Sequence, residues 1–127
     1  DDLVKLDGVL SGEEILHFQK LVRRIPVADH IYEYAAKLVR KTRPQSTSSP
    51  DWLKPFVSWG AGPRAVQNLI LGAKSRAALQ GSYMVRLEDV QYVAKPVLVH
   101  RLITTFAAQA EGVTAKQIVS RLIDETR

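Results

Sequence analysis

The chain has 127 residues, 46% of them hydrophobic and 24% charged, with a net charge of +5 and a pI near 9.7. That describes one globular domain with room for a real core. No apolar run approaches the roughly 18 to 20 residues of a membrane span, the acidic front at residues 1–5 is not a signal peptide, and the lack of cysteine excludes disulfides and thiolate metal sites and fits a reducing compartment. The chain reads as a piece of a longer protein.

Residues 1–16 carry five acids against one base. Within them, Ser11-Gly12-Glu13-Glu14 is a capping box, with Ser11 as N-cap and Glu14 three residues on. It starts a helix through about Arg24, with Ile15, Phe18 and Val22 on one face. Ile25-Pro26-Val27 ends it. A second helix runs from about Ala28 to Arg43, with Ile31, Tyr34, Ala35, Leu38 and Val39 at helical spacing. Lys41 and Arg43 fall in its last turn, where cations suit the helix dipole. Residues 17–43 hold seven bases against two acids: Lys20, Arg23, Arg24, Lys37, Arg40, Lys41 and Arg43 against Asp29 and Glu33. Such a cluster can bind phosphate or nucleic acid, and it is also what a solvated helix face looks like.

Residues 44–58 form a long polar connection, with Pro44, Ser46-Thr47-Ser48-Ser49 and Pro50 opposing regular structure. Its end is apolar, with Trp52, Leu53, Phe56, Val57 and Trp59. That end must pack on its own core or on a neighbour, and a short helical turn is expected near residues 52–56. Trp59-Gly60-Ala61-Gly62-Pro63-Arg64 follows. Its glycines read as a mobile turn, and Pro63 suits the first helical position, where its missing N–H costs nothing. Arg64 then sits in the first turn, where the dipole favours anions. A cation there reads either as a solvated surface arginine or as a group meant to reach a negative charge outside its own helix.

The third helix spans about Pro63 to Gln80, with Val66, Leu69, Ile70, Ala73 and Ala77 as its core stripe. At about 100° per residue that stripe is centred roughly opposite Arg64, whose own side carries Asn68, Leu71 and Ser75. An exposed leucine beside an arginine fits a face that meets another domain. Gly81 ends the helix as a C′ glycine. Tyr83-Met84-Val85 reads as extended. A fourth helix begins at Leu87-Glu88-Asp89 and buries Val90, Val93, Ala94, Val97 and Leu98, with a kink or restart expected at Pro96. His100-Arg101-Leu102-Ile103 reads as a second extended segment, able to pair with residues 83–85 as a small ribbon. Residues 104–112 are open, with a short helical piece conceivable. Thr114 caps a last helix carrying Ala115, Ile118, Val119, Leu122 and Ile123. The fold is therefore mainly α: a bundle of four to five helices with a short two-stranded ribbon, and not an alternating strand–helix sheet.

Catalytic motifs are absent. There is no G-x-x-x-x-G-K-[ST] phosphate loop. His17, His30 and His100 share no metal-ligand spacing, and the first two read as surface residues and the third as structural. The acid pairs Glu13-Glu14 and Glu88-Asp89 lie in first turns, where the dipole accounts for them.

Four segments, taken in order, resemble the C-terminal lid domain of MoxR-type AAA+ ATPases. They are Val9-Leu10-Ser11-Gly12-Glu13-Glu14-Ile15 leading to Leu21-Val22-Arg23-Arg24-Ile25-Pro26-Val27; Tyr34 with Leu38-Val39-Arg40-Lys41-Thr42-Arg43-Pro44; Trp59-Gly60-Ala61-Gly62-Pro63-Arg64-Ala65 running into Leu69-Ile70-Leu71-Gly72-Ala73-Lys74; and Val85, Glu88-Asp89-Val90, Ala94, Pro96-Val97-Leu98 with His100-Arg101. The resemblance implies an AAA+ lid-type bundle, with residues 1–26 as connector and helix at the junction with a P-loop core and residues 27–127 as the lid. It implies that Arg64 is the sensor 2 residue approaching the γ-phosphate of ATP, with Gly60, Gly62 and Pro63 near the nucleotide. ATP and Mg2+ would belong to the parent protein, with no cofactor held tightly by this piece and no metal site in it. The parent would be a cytoplasmic, chaperone-like ring, usually a hexamer, partnered by its own core, by neighbouring subunits and in many members by a von Willebrand factor A domain protein. Lacking Walker A, Walker B and arginine-finger elements, the piece itself is expected not to hydrolyse ATP. Two other readings compete: a small basic nucleic-acid-binding domain, resting on the cluster at 17–43, and a protein-interaction module, resting on residues 52–59.

Overall fold

The computed structural model describes residues 7–126, and the acidic front at Asp1 and Asp2 lies outside the described residues. Ser11 closes the predicted capping box: its hydroxyl accepts the Glu14 N–H at 3.2 Å, and the Glu14 carboxylate accepts the Ser11 N–H at 2.7 Å. This starts α1 (Gly12–Arg23). The helix buries none of its own residues, and Ile15 and Phe18 stay about half exposed. α2 (Asp29–Lys41) buries Ile31, Tyr34, Ala35, Leu38 and Val39, the five residues its spacing selects.

The connection that follows is ordered as a series of turns. Ser46 bonds back to Arg43, Ser49 to Ser46, Leu53 to Pro50 and Phe56 to Leu53, all by backbone N–H to carbonyl. The helical turn expected at residues 52–56 is among them. Most of its apolar end packs on this domain's own core, with Leu53 and Val57 fully buried and Trp52 and Phe56 partly buried, while Trp59 stays 66% exposed. The Trp52 indole donates to Glu125 at 2.8 Å, and the Arg121 guanidinium covers its ring at 4.1 Å. Lys41 closes the same corner by donating to the Glu125 carbonyl and to the Thr126 hydroxyl.

α3 (Pro63–Leu79) buries Ala65, Leu69, Ile70, Ala73 and Ala77, so Ala65 takes the fully buried place expected of Val66. Gly81 adopts φ +67°, as a C′ glycine does. α4 (Leu87–Leu98) packs most extensively against α3. Small residues let the two approach: Ala73, Ala77 and Ala94 are fully buried, and a Cβ on Gly72 would already touch Val93 at 3.4 Å. Val93 and Val97 are only half buried. Across the seam, Asp89 is 2% exposed and pairs with Arg76, while its second oxygen accepts the Arg86 N–H at 2.8 Å. α4 runs two residues beyond Pro96 and then tightens into a 3-10 turn at Val99–Arg101, so the proline falls close enough to the helix end to be absorbed there.

A ribbon is present, but its partners differ from those expected. β1 (Val57–Trp59) pairs antiparallel with β2 (Ile103–Thr104), Trp59 opposite Ile103. Val85 instead bonds its N–H to the Pro26 carbonyl and buries its side chain, which takes residues 83–85 to the α1–α2 corner. Val57 brings residues 57–59 to β2 because its own side chain must enter the core, and Thr105 N–H completes the edge by bonding to Phe56. The open stretch at 104–112 contains α5 (Phe106–Ala110), capped by Thr105. α6 (Ala115–Glu125), capped by Thr114, buries Ile118, Val119 and Leu122 against α2 and α4. The described residues thus form six α-helices, where the sequence reading gave four to five and left 104–112 open, and a two-stranded ribbon around a core from α2, α3, α4 and α6.

Candidate functional site: the start of helix α3

The approach to α3 is built by the end of α2. Thr42, fully buried, donates its hydroxyl to the Val39 carbonyl at 2.6 Å and accepts the Ala61 N–H at 2.9 Å. Arg43 donates Nε–H to the Ala61 carbonyl at 2.8 Å. Ala61 is 1% exposed. Gly60 lies flat against the same helix end: a Cβ there would meet the Thr42 carbonyl oxygen at 2.3 Å and the Arg43 Cα at 2.7 Å. The turn read as mobile is therefore clamped at Gly60 and at both polar groups of Ala61. Gly60 is required by close backbone approach, and not by freedom to move. Gly62 is different. Its φ is −88°, and a Cβ would find only the far end of Arg43, at 3.9 Å.

Gly62 is the N-cap of α3 and Pro63 its first residue; no side chain caps this end, and no acid lies in the first turn. Arg64 follows, exposed, with no hydrogen bond, ion pair or ring contact among the described residues. It points away from the α3 core stripe, as the spacing predicts. At this start Pro63 has no N–H and the Ala65 N–H is bonded to the Gly62 carbonyl at 2.9 Å, so beside the Arg64 guanidinium only the Gly62 and Arg64 N–H groups are without a partner among the described residues. Both suit an anion.

Two surfaces flank this start. On one side an open cleft of about 560 Å³ is lined by Arg40, Arg43, Gln45, Ser46, Trp59 and Gly60. On the other, the stripe that begins with Arg64 runs on through Leu71 and Ser75 into a groove with α1, lined also by Leu10, Ile15, Phe18 and Val22. Lys74 ties that groove by donating to the Arg23 carbonyl at 2.7 Å. Of the basic cluster at 17–43, Lys41 and Arg43 are thus spent on structural bonds. Among the described residues no group of three or more histidine or acidic side chains could hold a metal ion, and no helix is long and apolar enough to cross a membrane.

Sequence reasoning missed Thr42 and Arg43 as the anchors of this loop. They lie within the second segment of the resemblance, but their partners are 18 and 19 residues away, and no spacing rule connects them.

The described residues thus form a helical bundle with a two-stranded ribbon, a clamped loop and, at a helix start, an arginine without a partner among them. Residues 52–122 match the AAA lid domain model. Chaperone MoxR1 of Mycobacterium tuberculosis is 30% identical over 115 residues, which are 91% of this chain and 30% of that protein. The uncharacterized protein YeaC of Bacillus subtilis is 30% identical over 122 residues, 96% of this chain and 35% of that one. A crystal structure from Cytophaga hutchinsonii, of a protein provisionally classed as an ATPase, superposes with a TM-score of 0.85 at 26% identity, covering 91% of this chain and 35% of that one. The chain belongs to the AAA lid domain family, as the lid of a MoxR-type AAA+ ATPase. It spans about a third of the length of these relatives.

Proposed function

We propose that the chain is the sensor 2 lid of a chaperone-like, ATP-driven remodelling ring, in which Arg64 approaches the γ-phosphate held by the P-loop core and transmits its loss to the lid. The observation that carries this reading is the free guanidinium of Arg64, set against its own helix dipole on an exposed first turn. A guanidinium matches phosphate oxygens in a bidentate fork. Gly62 and Pro63 lie beside the nucleotide in this reading, and the Gly62 and Arg64 N–H groups add donors to it. ATP and Mg2+ are held by the core, which also supplies hydrolysis, so the lid alone turns over no ATP. Its partners are its own core, neighbouring subunits of a hexamer and a von Willebrand factor A domain protein, in the cytoplasm. The test is steady-state ATPase activity of the full-length protein, wild type against Arg64→Ala at matched nucleotide occupancy. The expected result is a fall in turnover of about ten-fold or more, or about 1.4 kcal/mol in barrier, with the ring intact. Unchanged turnover returns Arg64 to the surface and removes the sensor assignment.

A further inference from the structure

We propose that Thr42 and Arg43 are the positioning residues for Arg64, an inference that rests on the sensor reading above. The hydroxyl bond from Thr42 back to Val39 is an ordinary device of helix ends. What is not ordinary is the use of the same oxygen as acceptor for a residue 19 positions on, while the next side chain takes that residue's carbonyl. One amino acid, Ala61, is held at both its N–H and its C=O by two consecutive side chains, and its neighbour Gly60 is pressed onto the backbone that carries them.

Between Ala61 and Arg64 only Gly62 and Pro63 intervene. Pro63 has its φ fixed by its ring, and the Gly62 carbonyl is already engaged by the Ala65 N–H at 2.9 Å. Little torsional freedom is left between the clamp and the arginine. The end of α2 therefore sets where the first turn of α3 starts and which way Arg64 leaves it. A sensor must place its guanidinium against phosphate oxygens within a fraction of an ångström, and a misplacement of about 1 Å can cost up to 100-fold in rate. The clamp also offers a mechanical link: a shift of α2 reaches Arg64 through two hydrogen bonds and one backbone contact.

The experiment uses the full-length ATPase, with kcat, KM for ATP, ring size and thermal midpoint measured for each variant. Thr42→Val keeps the shape and removes the hydroxyl, and Thr42→Ser restores the hydroxyl. Arg43→Met keeps the stem and removes the donor; Arg43 is only partly buried, whereas Thr42 is fully buried, so this variant serves if Thr42→Val does not fold. Arg64→Ala is made alone and combined with each. Expected are a five- to ten-fold loss of kcat in Thr42→Val and in Arg43→Met, with KM changed less than two-fold. Thr42→Ser should stay within two-fold of wild type, and neither clamp variant should add a loss in the Arg64→Ala background, since residues acting through one another are not additive. The same factor lost with and without Arg64 would overturn the inference, because the clamp would then serve only the fold. A loss in Arg64→Ala with wild-type turnover in both clamp variants would overturn it alone. Wild-type turnover in Arg64→Ala would overturn the sensor reading, and this inference with it.

Discussion

The two glycines before α3 look alike in the sequence and have different physics. Gly60 leaves no room for a side chain: a Cβ would overlap the backbone of Thr42 and Arg43, and backbone cannot give way as a flexible side chain can. Gly60→Ala is expected to destabilise the chain by about 2 kcal/mol or more, in the range of overpacking that shifts backbone, measured as a lower urea midpoint. Gly62 has open space and negative φ, so Gly62→Ala should leave stability within about 1 kcal/mol and could raise it by restricting the unfolded chain. That contrast makes Gly62→Ala a clean probe. If the full-length protein carrying it binds ATP more weakly with an unchanged urea midpoint, the demand for glycine comes from a ligand. Asp89 is a third residue whose environment decides its value. It is almost fully buried and holds Arg76 and the Arg86 N–H at once. Asp89→Ala strands a partly buried guanidinium beside Tyr92, and breaking such a pair costs roughly 3 to 5 kcal/mol. A drop of that size in chemical-denaturation free energy is the expected outcome.

At the scale of elements, the chain teaches where periodicity carries information. α2, α3 and α6 were legible because apolar residues at helical spacing and recognisable starts agree with one another: Thr114 caps α6, Pro63 opens α3. The ribbon partner was misread because strands of two or three residues show no alternation, and the choice was made by the burial of Val57 and Val85, which depends on the whole core. The Asp89 pair was hidden behind a sufficient local explanation, the preference of acids for first turns. The Thr42 and Arg43 clamp was hidden because Arg43, too, already suited its helix end. The connection between α2 and β1 is a further case: polar in composition, yet held to α6 through Glu125. That carboxylate is kept below its ordinary range first by its bond from Arg121 and then by the Trp52 indole. A lowered folded value means stabilisation that is present above the unfolded carboxylate range and lost as pH falls through the folded value. The stability of the chain should therefore decline as pH falls below about 4.5, the ordinary value for this group. Glu125→Gln should show a shallower decline over that window, read as urea midpoint against pH. An identical pH slope in both proteins would mean that the bonds to Arg121 and Trp52 do not distinguish the folded from the unfolded carboxylate.

At the scale of the molecule, α1 stands apart from the rest. A 12-residue helix with a complete capping box presents Ile15, Leu16, Phe18 and Leu21 with exposures from 43 to 59%, and it places no residue in the buried core. Local devices account for its existence as a helix: the box, acids in the first turn and bases in the last. They do not account for its composition, since residues that gain nothing from this core have no reason within it to be apolar. The energetic consequence is sharp. Truncating a buried phenylalanine costs about 3 to 5 kcal/mol, whereas a half-exposed one on a loosely packed helix forfeits only a fraction of its transfer energy. Ile15→Ser with Phe18→Ser should therefore lower the stability of the 127-residue chain by less than about 1.5 kcal/mol, while the single change Leu69→Ala, in the middle of α3 and fully buried, should cost about 2 to 5 kcal/mol. Urea midpoints compare the two directly, and binding of an apolar dye, reduced in the double serine variant, reports that the exposed patch has gone. If the double variant unfolds as easily as Leu69→Ala, α1 belongs to the cooperative core after all, and its half-exposed face contributes to this domain's own stability.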